Sequence, residues 1–267
     1  MAGRRGEDRW AAGDLYEPYV GRWSRLVARD FLAWLNAPSG LDWLEVGCGT
    51  GALTETIASS CAPKRLAGID SSSGFLDFAR RRLGPDRAEF READAQNLPF
   101  PAAGFDRVVS GLVLNFVPDQ LRAAAEMLRV IRPGGEVALY VWDYAGKMEL
   151  MRHFWDTATA LDPRAAEMDE GKRFPICHPE ALQRLFEAAG LADLETGAID
   201  VATVFRDFDD YWFPFLGGQG PAPGYCVSLA EEARTSLRER LRGRLPARPD
   251  GSIHLIARAW AIRGRKV

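Results

Sequence analysis

The sequence lacks the long apolar runs that membrane-spanning helices require. Its 267 residues contain no uninterrupted apolar stretch of the necessary length, which is about 18 residues. The charged opening MAGRRGEDRW is not followed by the apolar core of a signal peptide. These absences predict a protein that neither spans a membrane nor is exported, and we expect it in the cytoplasm.

Cysteine and histidine are also scarce. The four cysteines form no CxxC pair, and the three histidines are dispersed along the chain. Disulfide frameworks and structural zinc sites need such residues at close, regular spacings. We therefore expect reduced thiols and no metal site.

An excess of positive charge is missing as well. The chain has 34 basic and 37 acidic residues and a net charge of −3, whereas nucleic acids and anionic membranes attract basic surfaces. The charge balance thus predicts neither a nucleic-acid nor a membrane partner. With 47% hydrophobic residues, the composition is typical of a globular protein with a substantial core.

Short apolar runs alternate with helical patterns through the first half of the chain. Such alternation is typical of an α/β protein with a parallel sheet covered on both faces. After Trp142 the alternation breaks, and it resumes in a helix that begins at Pro179 and ends before Gly190. The five strands predicted before the break are LDWLEVG, RLAGID, RAEFREAD, FDRVVSGLVL and EVALYVW.

Capping residues predict the ends of several helices. Ser24 is expected to cap the first one, serines near Ser72 cap another that stops at Gly84, and Pro118 begins a third. The segment Arg-Pro-Gly-Gly is predicted to close that third helix before the fifth strand.

A glycine cluster follows the first predicted strand and opens a helix. Gly47, Gly49 and Gly51 lie where a backbone must pass close to a ligand without interfering side chains. With Ala52, the spacing also satisfies the dinucleotide pattern GxGxxG/A, so an NAD or FAD site remains an alternative. Asp70, at the end of the second strand, is suited to bind ribose hydroxyls in either case.

Two features favour an adenosine ligand without a triphosphate. No Lys or Arg lies between Leu41 and Ala62, so a triphosphate would have no cationic partner there. Asp94 stands beside Ala95 and Leu98, which predicts an apolar slot for a purine with one carboxylate for its exocyclic amine.

Taken in order and spacing, five segments resemble the motifs of class I S-adenosylmethionine-dependent methyltransferases. The similarity is greatest to the bacterial small-molecule group that includes the ubiquinone and menaquinone biosynthesis enzymes. It covers residues 41–142, and the segment YEPYVGRWS more loosely. The five segments are LEVGCGTG, GIDSS, EADAQNLPF, FDRVVSGLVLNFVPD and LRVIRPGGEVALYVWD.

The resemblance implies a Rossmann-like, doubly wound, mainly parallel sheet of seven strands with an antiparallel last strand and a helical lid. It implies S-adenosylmethionine as the cofactor, with the glycine turn under its methionine and ribose, Asp70 at the ribose and Asp94 at the adenine. Ser110 and Asn115 would form the wall beside the methyl group, and the N-terminal segment would fold over the cofactor. The full set of cofactor-binding residues expected from the resemblance is Tyr16, Arg22, Glu45, Gly47, Cys48, Gly49, Gly51, Asp70, Ser71, Asp94, Ala95, Ser110 and Asn115.

We accordingly interpret the chain as one domain, residues 1–267. It comprises an N-terminal cap (1–40), a cofactor-binding core (41–142), two lid segments (143–178 and 203–248) and two stretches that return to the sheet (179–202 and 249–267). Aromatic residues concentrate in the two lid segments, as expected for the walls of a pocket for a small apolar molecule. The Arg-rich run that begins at Glu231 also contains acids and is interpreted as a solvated helix face.

The expected reaction is transfer of a methyl group by in-line displacement to a small apolar or aromatic acceptor. Its main catalytic requirement is alignment of donor and acceptor. A general base is needed only for an acceptor that must lose a proton. The candidates for that base are His153, His178, Asp143 and Tyr144. A protein that binds the cofactor without turnover, and a dinucleotide-dependent oxidoreductase, remain alternatives.

Overall fold

A seven-stranded sheet forms the centre of the protein. The computed structural model describes residues 17–84, 86–218 and 220–267. The strands are Asp42–Val46 (β1), Arg65–Asp70 (β2), Glu89–Glu92 (β3), Phe105–Gly111 (β4), Ile131–Trp142 (β5), Ala192–Phe205 (β6) and Ile253–Arg265 (β7). Their order across the sheet is β3-β2-β1-β4-β5-β7-β6. β1 to β5 run parallel, whereas β7 lies antiparallel between β5 and β6, which confirms the predicted sheet.

Strand β1 lies in the middle of the parallel part of the sheet. All five of its residues are buried, as expected for a strand covered on both faces. Two of the five are acids, and each has a local reason to be there. Asp42 pairs with Arg132 at an oxygen-to-nitrogen distance of 2.8 Å. Glu45 lies at the other end of the strand, where it lines a cavity.

Helices cover both faces of the sheet. The α-helices within the described residues are Arg22–Leu35 (α1), Ala52–Ser60 (α2), Ser73–Leu83 (α3), Gln120–Val130 (α4), Glu149–Leu161 (α5), Glu170–Arg173 (α6), Pro179–Ala189 (α7), Phe208–Trp212 (α8), Pro221–Ser228 (α9) and Glu231–Arg244 (α10). α1 packs against α2, β6 and β7, whereas α4 packs against α7 and β5. A short π-helical turn, Glu17–Gly21, precedes α1.

The capping signals of α3 and α7 were interpreted correctly. The Ser72 hydroxyl oxygen accepts a hydrogen bond from the Phe75 N–H at 3.3 Å and caps α3. Gly84 and Gly190 follow the two helices with positive φ angles of 77° and 89°, a conformation that glycine adopts without steric cost. Pro179 occupies the first turn of α7, where its missing N–H is not needed.

Two predicted helix starts were wrong. The chain is already helical before Ser24, whose hydroxyl donates to the Val20 carbonyl one turn earlier at 3.0 Å instead of capping α1. α4 begins after Pro118, because the Asp119 carboxylate accepts from the Arg122 N–H at 2.9 Å and provides the cap.

The Arg-Pro-Gly-Gly segment belongs to β5 and not to the end of α4. The ladder between β4 and β5 shifts its register between Phe105 and Arg107, opposite this segment. Arg132, the first residue of the segment, bonds Asp106 and Asp42 at 2.6 and 2.8 Å. The two carboxylates thus hold the irregular start of β5 against its neighbours.

The two lid segments, residues 143–178 and 203–248, pack on each other. α9 and α10 from the second contact α5 from the first, and the Phe154 and Phe215 rings stack at a centroid distance of 4.5 Å. The second segment is largely helical and includes α9 from Pro221 onward. α10 buries only Leu237 and Leu241, consistent with a solvated helix face.

Candidate functional site

The glycine turn after β1 is fixed against β2. The N–H groups of Gly47 and Cys48 both donate to the Ile69 carbonyl at 2.8 Å. Gly47, Gly49 and Gly51 have φ angles of 77°, 51° and 86°, in the left-handed region that residues with a Cβ rarely adopt. The backbone conformation therefore explains why glycine occupies all three positions.

The three glycines differ in the space around them. A Cβ on Gly47 would lie 2.5 Å from the Val113 Cγ1, and one on Gly51 would lie 3.0 Å from the Leu83 Cδ1. A Cβ on Gly49 would meet no atom within 4 Å. Close packing thus requires the outer two glycines, whereas the middle one faces open space.

A cavity of about 270 Å³ adjoins this turn. It lies at the carboxyl ends of β1, β2, β4 and β5, which is where open α/β sheets bind ligands. Its lining residues are Val20, Ser24, Glu45, Gly47, Cys48, Gly49, Thr50, Ala52, Leu53, Ile69, Asp70, Ser71, Ser72, Phe75, Ala93, Asp94, Ala95, Gly111, Leu112, Val113, Phe116, Val117, Pro118, Tyr140, Trp142, Tyr144 and Met151.

Asp70 is held at the cavity by backbone N–H groups. Its two carboxylate oxygens accept from the Gly49 and Ser72 N–H groups, each at 2.9 Å. Burial raises the pKa of Asp70, and these backbone hydrogen bonds oppose the rise. Each oxygen keeps a further lone pair, so the fixed carboxylate is able to accept hydrogen bonds from a diol.

Glu45 is a buried acid at the methionine end expected for the cofactor. Burial raises the pKa of its carboxyl group to about 8, so the group is largely protonated at neutral pH. The Thr54 hydroxyl donates to its Oε2. Cys48, next in the turn, is also buried, and burial raises the pKa of its thiol.

Asp94 and Ala95 line the opposite side of the cavity, and Ser71 lies beside Asp70. The Asp94 side chain is exposed and accepts from the Gln96 backbone N–H at 2.8 Å and from the Gln96 amide at 3.0 and 3.1 Å. These hydrogen bonds lower the pKa of Asp94. The carboxylate is therefore ionised and fixed, with lone-pair capacity remaining for a ligand amine.

Ser110 and Asn115 are not among the described residues of the cavity lining, although Gly111 and Phe116, which follow them in the chain, are. The Ser110 hydroxyl donates to the Val46 carbonyl at 2.7 Å, which ties β4 to β1. Asn115 is buried, and neither amide atom has a hydrogen-bond partner among the described residues. Such an orphaned amide is rare in proteins.

Two residues of the N-terminal segment, Tyr16 and Arg22, were expected to bind the cofactor. Tyr16 lies outside the described residues. Arg22 is not among the described residues of the cavity lining. Its guanidinium donates to Asp210 at 3.0 Å and lies over the Trp23 and Phe205 rings. It thereby connects α1 to the second lid segment.

Of the four candidate bases, Tyr144 alone lines the cavity within the described residues. The Asp143 carboxylate accepts from two backbone N–H groups of its own turn. His153 is half-buried on α5, and burial lowers the pKa of its imidazole. His178 precedes α7 and makes no side-chain cap.

The aromatic residues of the lid segments pack mainly on one another. Of the aromatic residues in the described parts of the lid segments, only Tyr144 lines the cavity, together with Trp142 just before the first segment. Phe75, Phe116 and Tyr140 also line it and were not predicted. Phe116 and Tyr140 lie at or just beyond the ends of β4 and β5, so the rule that ligands bind at strand ends was the available signal.

A protein-family comparison matches residues 44–139 to a family described as "Methyltransferase domain". The match spans the glycine turn, Asp70, Asp94 and Asn115. It favours the methyltransferase interpretation over the dinucleotide alternative.

Curated relatives include demethylmenaquinone methyltransferases. That of Symbiobacterium thermophilum is 36% identical over 121 residues, which cover 43% of this chain and 48% of the relative. That of Staphylococcus aureus strain JH9 is 28% identical over 184 residues, which cover 64% of this chain and 75% of the relative. The chain thus spans about half the length of the first of these relatives.

Solved structures share the fold at low sequence identity. The YcgJ protein of Bacillus subtilis is 17% identical, with a TM-score of 0.58 over 92% of this chain and 98% of its own. A phosphoethanolamine N-methyltransferase of Haemonchus contortus, in complex with S-adenosylhomocysteine, is 16% identical, with a TM-score of 0.54 over 86% of this chain and 49% of its own.

None of the helices in the described residues is both long and apolar enough to cross a membrane. Within the same residues, no group of three or more His, Cys, Asp or Glu side chains is arranged to hold a metal ion.

Proposed function

We propose that this chain, whose residues 44–139 match a methyltransferase domain, transfers a methyl group from S-adenosylmethionine to a small, uncharged, apolar or aromatic acceptor. The acceptor lies between the cofactor site at the glycine turn and the first lid segment. The relatives named above supply one such acceptor class, since their names specify a quinone.

The charge of the cavity lining carries this proposal. Among the described lining residues, three are acids (Glu45, Asp70 and Asp94) and none is Lys, Arg or His. A phosphate or carboxylate placed there would lose its hydration without gaining a cationic partner, which is strongly unfavourable. An anionic acceptor is therefore disfavoured.

The part of the lining away from the acids is apolar. It consists mainly of hydrophobic and aromatic side chains from the π-helical turn before α1, the region at the ends of β4 and β5, and the first lid segment. Such walls bind planar or apolar molecules through burial of surface. The residues concerned are Val20, Phe116, Val117, Tyr140, Trp142, Tyr144 and Met151.

The polar part of the lining fits the cofactor. Gly49 has open space where a Cβ would lie, the Asp70 carboxylate would accept from ribose hydroxyls, and the Asp94 carboxylate would accept from an adenine amine. Asn115, whose buried amide has no hydrogen-bond partner among the described residues, precedes the lining residue Phe116. When bound, S-adenosylmethionine supplies an electrophilic methyl group on a sulfonium.

The contribution of the chain to the reaction is then positioning and exclusion of water. Alignment of the acceptor atom with the donor methyl converts an encounter of two molecules into a reaction within one complex. Tyr140, Trp142 and Tyr144 are nearly inaccessible to solvent and keep the acceptor side of the cavity dry. No base is required for a neutral amine. A phenol or acidic carbon would have to release its proton, and Tyr144 is the one candidate base that lines the cavity within the described residues.

The test is transfer of labelled methyl groups from S-adenosylmethionine. Separate reactions contain neutral aromatic molecules, matched carboxylated or phosphorylated aromatics, tRNA, duplex DNA and cell protein. We expect transfer only to neutral small molecules, and none by a Gly49→Val variant. Faster transfer to an anion or to any macromolecule would overturn the proposal. Cofactor binding by calorimetry without transfer to any acceptor would favour the binding-only alternative.

A further inference from the structure

Three aromatic rings meet where the first lid segment contacts the region beyond the ends of β4 and β5. The Phe174 ring lies edge to face with the Phe116 ring at a centroid distance of 5.1 Å. It also contacts the Tyr144 ring at a centroid distance of 5.7 Å. Phe116 and Tyr144 both line the cavity, whereas Phe174 is not among the described lining residues. One ring outside the lining thus contacts two rings within it.

The two lining rings come from different parts of the chain. Phe116 ends a short 3₁₀ helix after β4, and Tyr144 follows β5 at the start of the first lid segment. The ladder between the two strands pairs residues only as far as Gly111 and Tyr140, before either ring is reached. Beyond that point, the Phe174 ring connects the two sides.

The backbone that carries Phe174 is fixed on both sides. The Phe174 N–H donates to the Glu170 carbonyl at 3.0 Å, and the Phe174 carbonyl accepts from the Cys177 N–H at 3.0 Å. The preceding helix, α6, packs closely on the turn that contains Tyr144, since a Cβ on Gly171 would lie 3.0 Å from the Tyr144 carbonyl oxygen. The fold of the first lid segment therefore sets the position of the Phe174 ring.

The exposure of Phe174 distinguishes it from the rings that form the core of the lid segments. Phe174 is half-buried, whereas Phe154 and Phe215 are fully buried. Both aromatic rings that Phe174 contacts in the described part of the chain belong to the cavity lining. Because a half-buried ring contributes less apolar burial than a core ring, its removal should affect the cavity wall more than the stability of the fold.

We propose that Phe174 is a positioning residue that holds the Phe116 and Tyr144 rings in place and thereby limits the width of a planar acceptor. This inference rests on the proposed function, whose acceptor pocket includes both lining rings. Without the Phe174 ring, each of them loses a packing partner and gains space to move outward. The pocket then admits wider acceptors.

Tyr225→Ala is the matched control for Phe174→Ala. Tyr225 is also half-buried, and its ring also contacts two aromatic rings, those of Phe154 at 6.2 Å and Trp155 at 5.5 Å. Neither of these is among the described lining residues. The two substitutions therefore remove similar packing, but only Phe174→Ala removes a support of the cavity wall.

The experiment uses the full-length protein loaded with S-adenosylhomocysteine. Fluorescence titration measures the affinities of two neutral planar probes, the bicyclic 2-naphthol and the wider, tricyclic 9-phenanthrol. We expect Phe174→Ala to shift the ratio of the two affinities toward the wider probe by about tenfold, because two aromatic contacts are lost. Phe174→Leu, which keeps apolar bulk, should shift the ratio less in the same direction. Phe174→Tyr, which keeps the ring, and Tyr225→Ala should retain the ratio of the parent.

A purely structural role of Phe174 would lower the melting temperature and both affinities together and leave their ratio unchanged. That result would overturn the proposal. A shift toward the narrower probe, an equal shift in Tyr225→Ala, or a parent that binds neither probe would do so as well.

Failure of this inference is separable from failure of the proposed function, because one readout is binding and the other is methyl transfer. A shifted ratio without transfer to any acceptor would contradict the proposed function but not the size limit. Transfer to neutral small molecules with an unchanged ratio would contradict the size limit alone.

Discussion

The cofactor-binding core and the lid segments position their polar groups by different means. In the core, backbone N–H groups of Gly49 and Ser72 hold the Asp70 carboxylate at 2.9 Å each. In the lid segments, side chains hold side chains: Glu170 accepts from Trp155, which packs against Phe154. The core carboxylate is thus held by backbone groups, which a change of side chain elsewhere leaves in place, whereas the arrangement in the lid segments depends on the side chains themselves.

This difference separates the expected consequences of substitution. Changes in the core should alter cofactor affinity with limited effect on folding, because the turn is defined by its own backbone conformation. Changes in the lid segments should alter packing and the acceptor pocket together. Substitutions in each region therefore test whether the core and the lid segments respond differently.

The largest effect on cofactor binding is expected for Gly49→Val. Gly49 has a φ of 51° and faces open space, so a branched side chain there would fill the position of the ligand. We expect cofactor affinity to fall by ~100-fold or more, about 2.7 kcal/mol. Calorimetry with S-adenosylmethionine measures it.

Gly40→Val is the matched control for the backbone cost. Gly40 has a φ of 78°, also has open space around it, and is not among the described lining residues. Both variants should lose about 1–2 kcal/mol of stability from the left-handed conformation, but only Gly49→Val should lose the cofactor. Equal affinity in the two variants would mean that the turn has only a structural role.

The next prediction concerns the pH dependence of the free energy of unfolding, to which groups in both the core and the lid segments contribute. Glu45 in the core and Glu170 in the lid segments each have a pKa raised by burial to about 8, against 4.5 for the free side chain. When the folded pKa is the higher one, full stability is present below the unfolded pKa. It is lost as the pH rises through the folded pKa.

We therefore expect the free energy of unfolding to fall as the pH rises from about 5 to about 8 and then to level off. The fall should be roughly 1.4 kcal/mol for each unit by which the folded pKa exceeds the unfolded pKa. Glu45→Gln and Glu170→Gln should each remove part of this dependence, and Glu180→Gln, at an exposed position, should not. Melting curves at pH 5.5, 7 and 8.5 give the result. Identical curves for the parent at all three pH values would contradict the assignment.

A smaller loss is expected for Asp70→Ala, about 1.5–3 kcal/mol in cofactor affinity, the range for removing a charged hydrogen-bond partner. Because burial raises the pKa of Asp70, the parent should also bind more weakly as the pH falls through that raised pKa, and the variant should lack this dependence. Unchanged affinity in the variant would exclude the ribose role of Asp70. Retained secondary structure by circular dichroism is the control.

The same difference between core and lid explains what could be predicted from the sequence. The limits of β2, the caps of α3 and the glycine turn follow from local signals, and all three were predicted. The start of α1 was predicted wrongly, because serine is a residue type that often caps helices. Only the helical turn before Ser24 shows that this residue lies inside the helix, where its hydroxyl donates to the Val20 carbonyl.

Glu170 shows why the lid-side residues could not be predicted. By type it is a surface residue in a short polar segment, EGKR, but it is buried and accepts a hydrogen bond from Trp155 on α5. Tyr140 and Phe116 were within reach of sequence reasoning, because they lie at or just beyond strand ends. The aromatic residues of the second lid segment were expected to form pocket walls, but those that the structure describes pack on one another and on the first lid segment, and none of them lines the cavity.

The smallest effect is expected at Asp94, which differs from Asp70 in being exposed and held partly by a side chain. Water and the Gln96 amide already satisfy part of its hydrogen-bonding capacity, so an adenine amine gains little more. Asp94→Ala should cost about 0.5–1.5 kcal/mol in affinity for S-adenosylhomocysteine. That loss should be absent for an analogue that lacks the exocyclic amine.

The four affinities, two proteins with two ligands, isolate the carboxylate–amine interaction from any general effect of the substitution. Gln96→Ala provides the matched control, because it frees Asp94 from the competing amide and should preserve or increase the preference for the amine. If Asp94→Ala discriminates between the two ligands as well as the parent does, another group recognises the amine. Adenine selectivity would then come from the apolar wall beside Ala95 and Phe75, and the core would rely on packing there as the lid segments do.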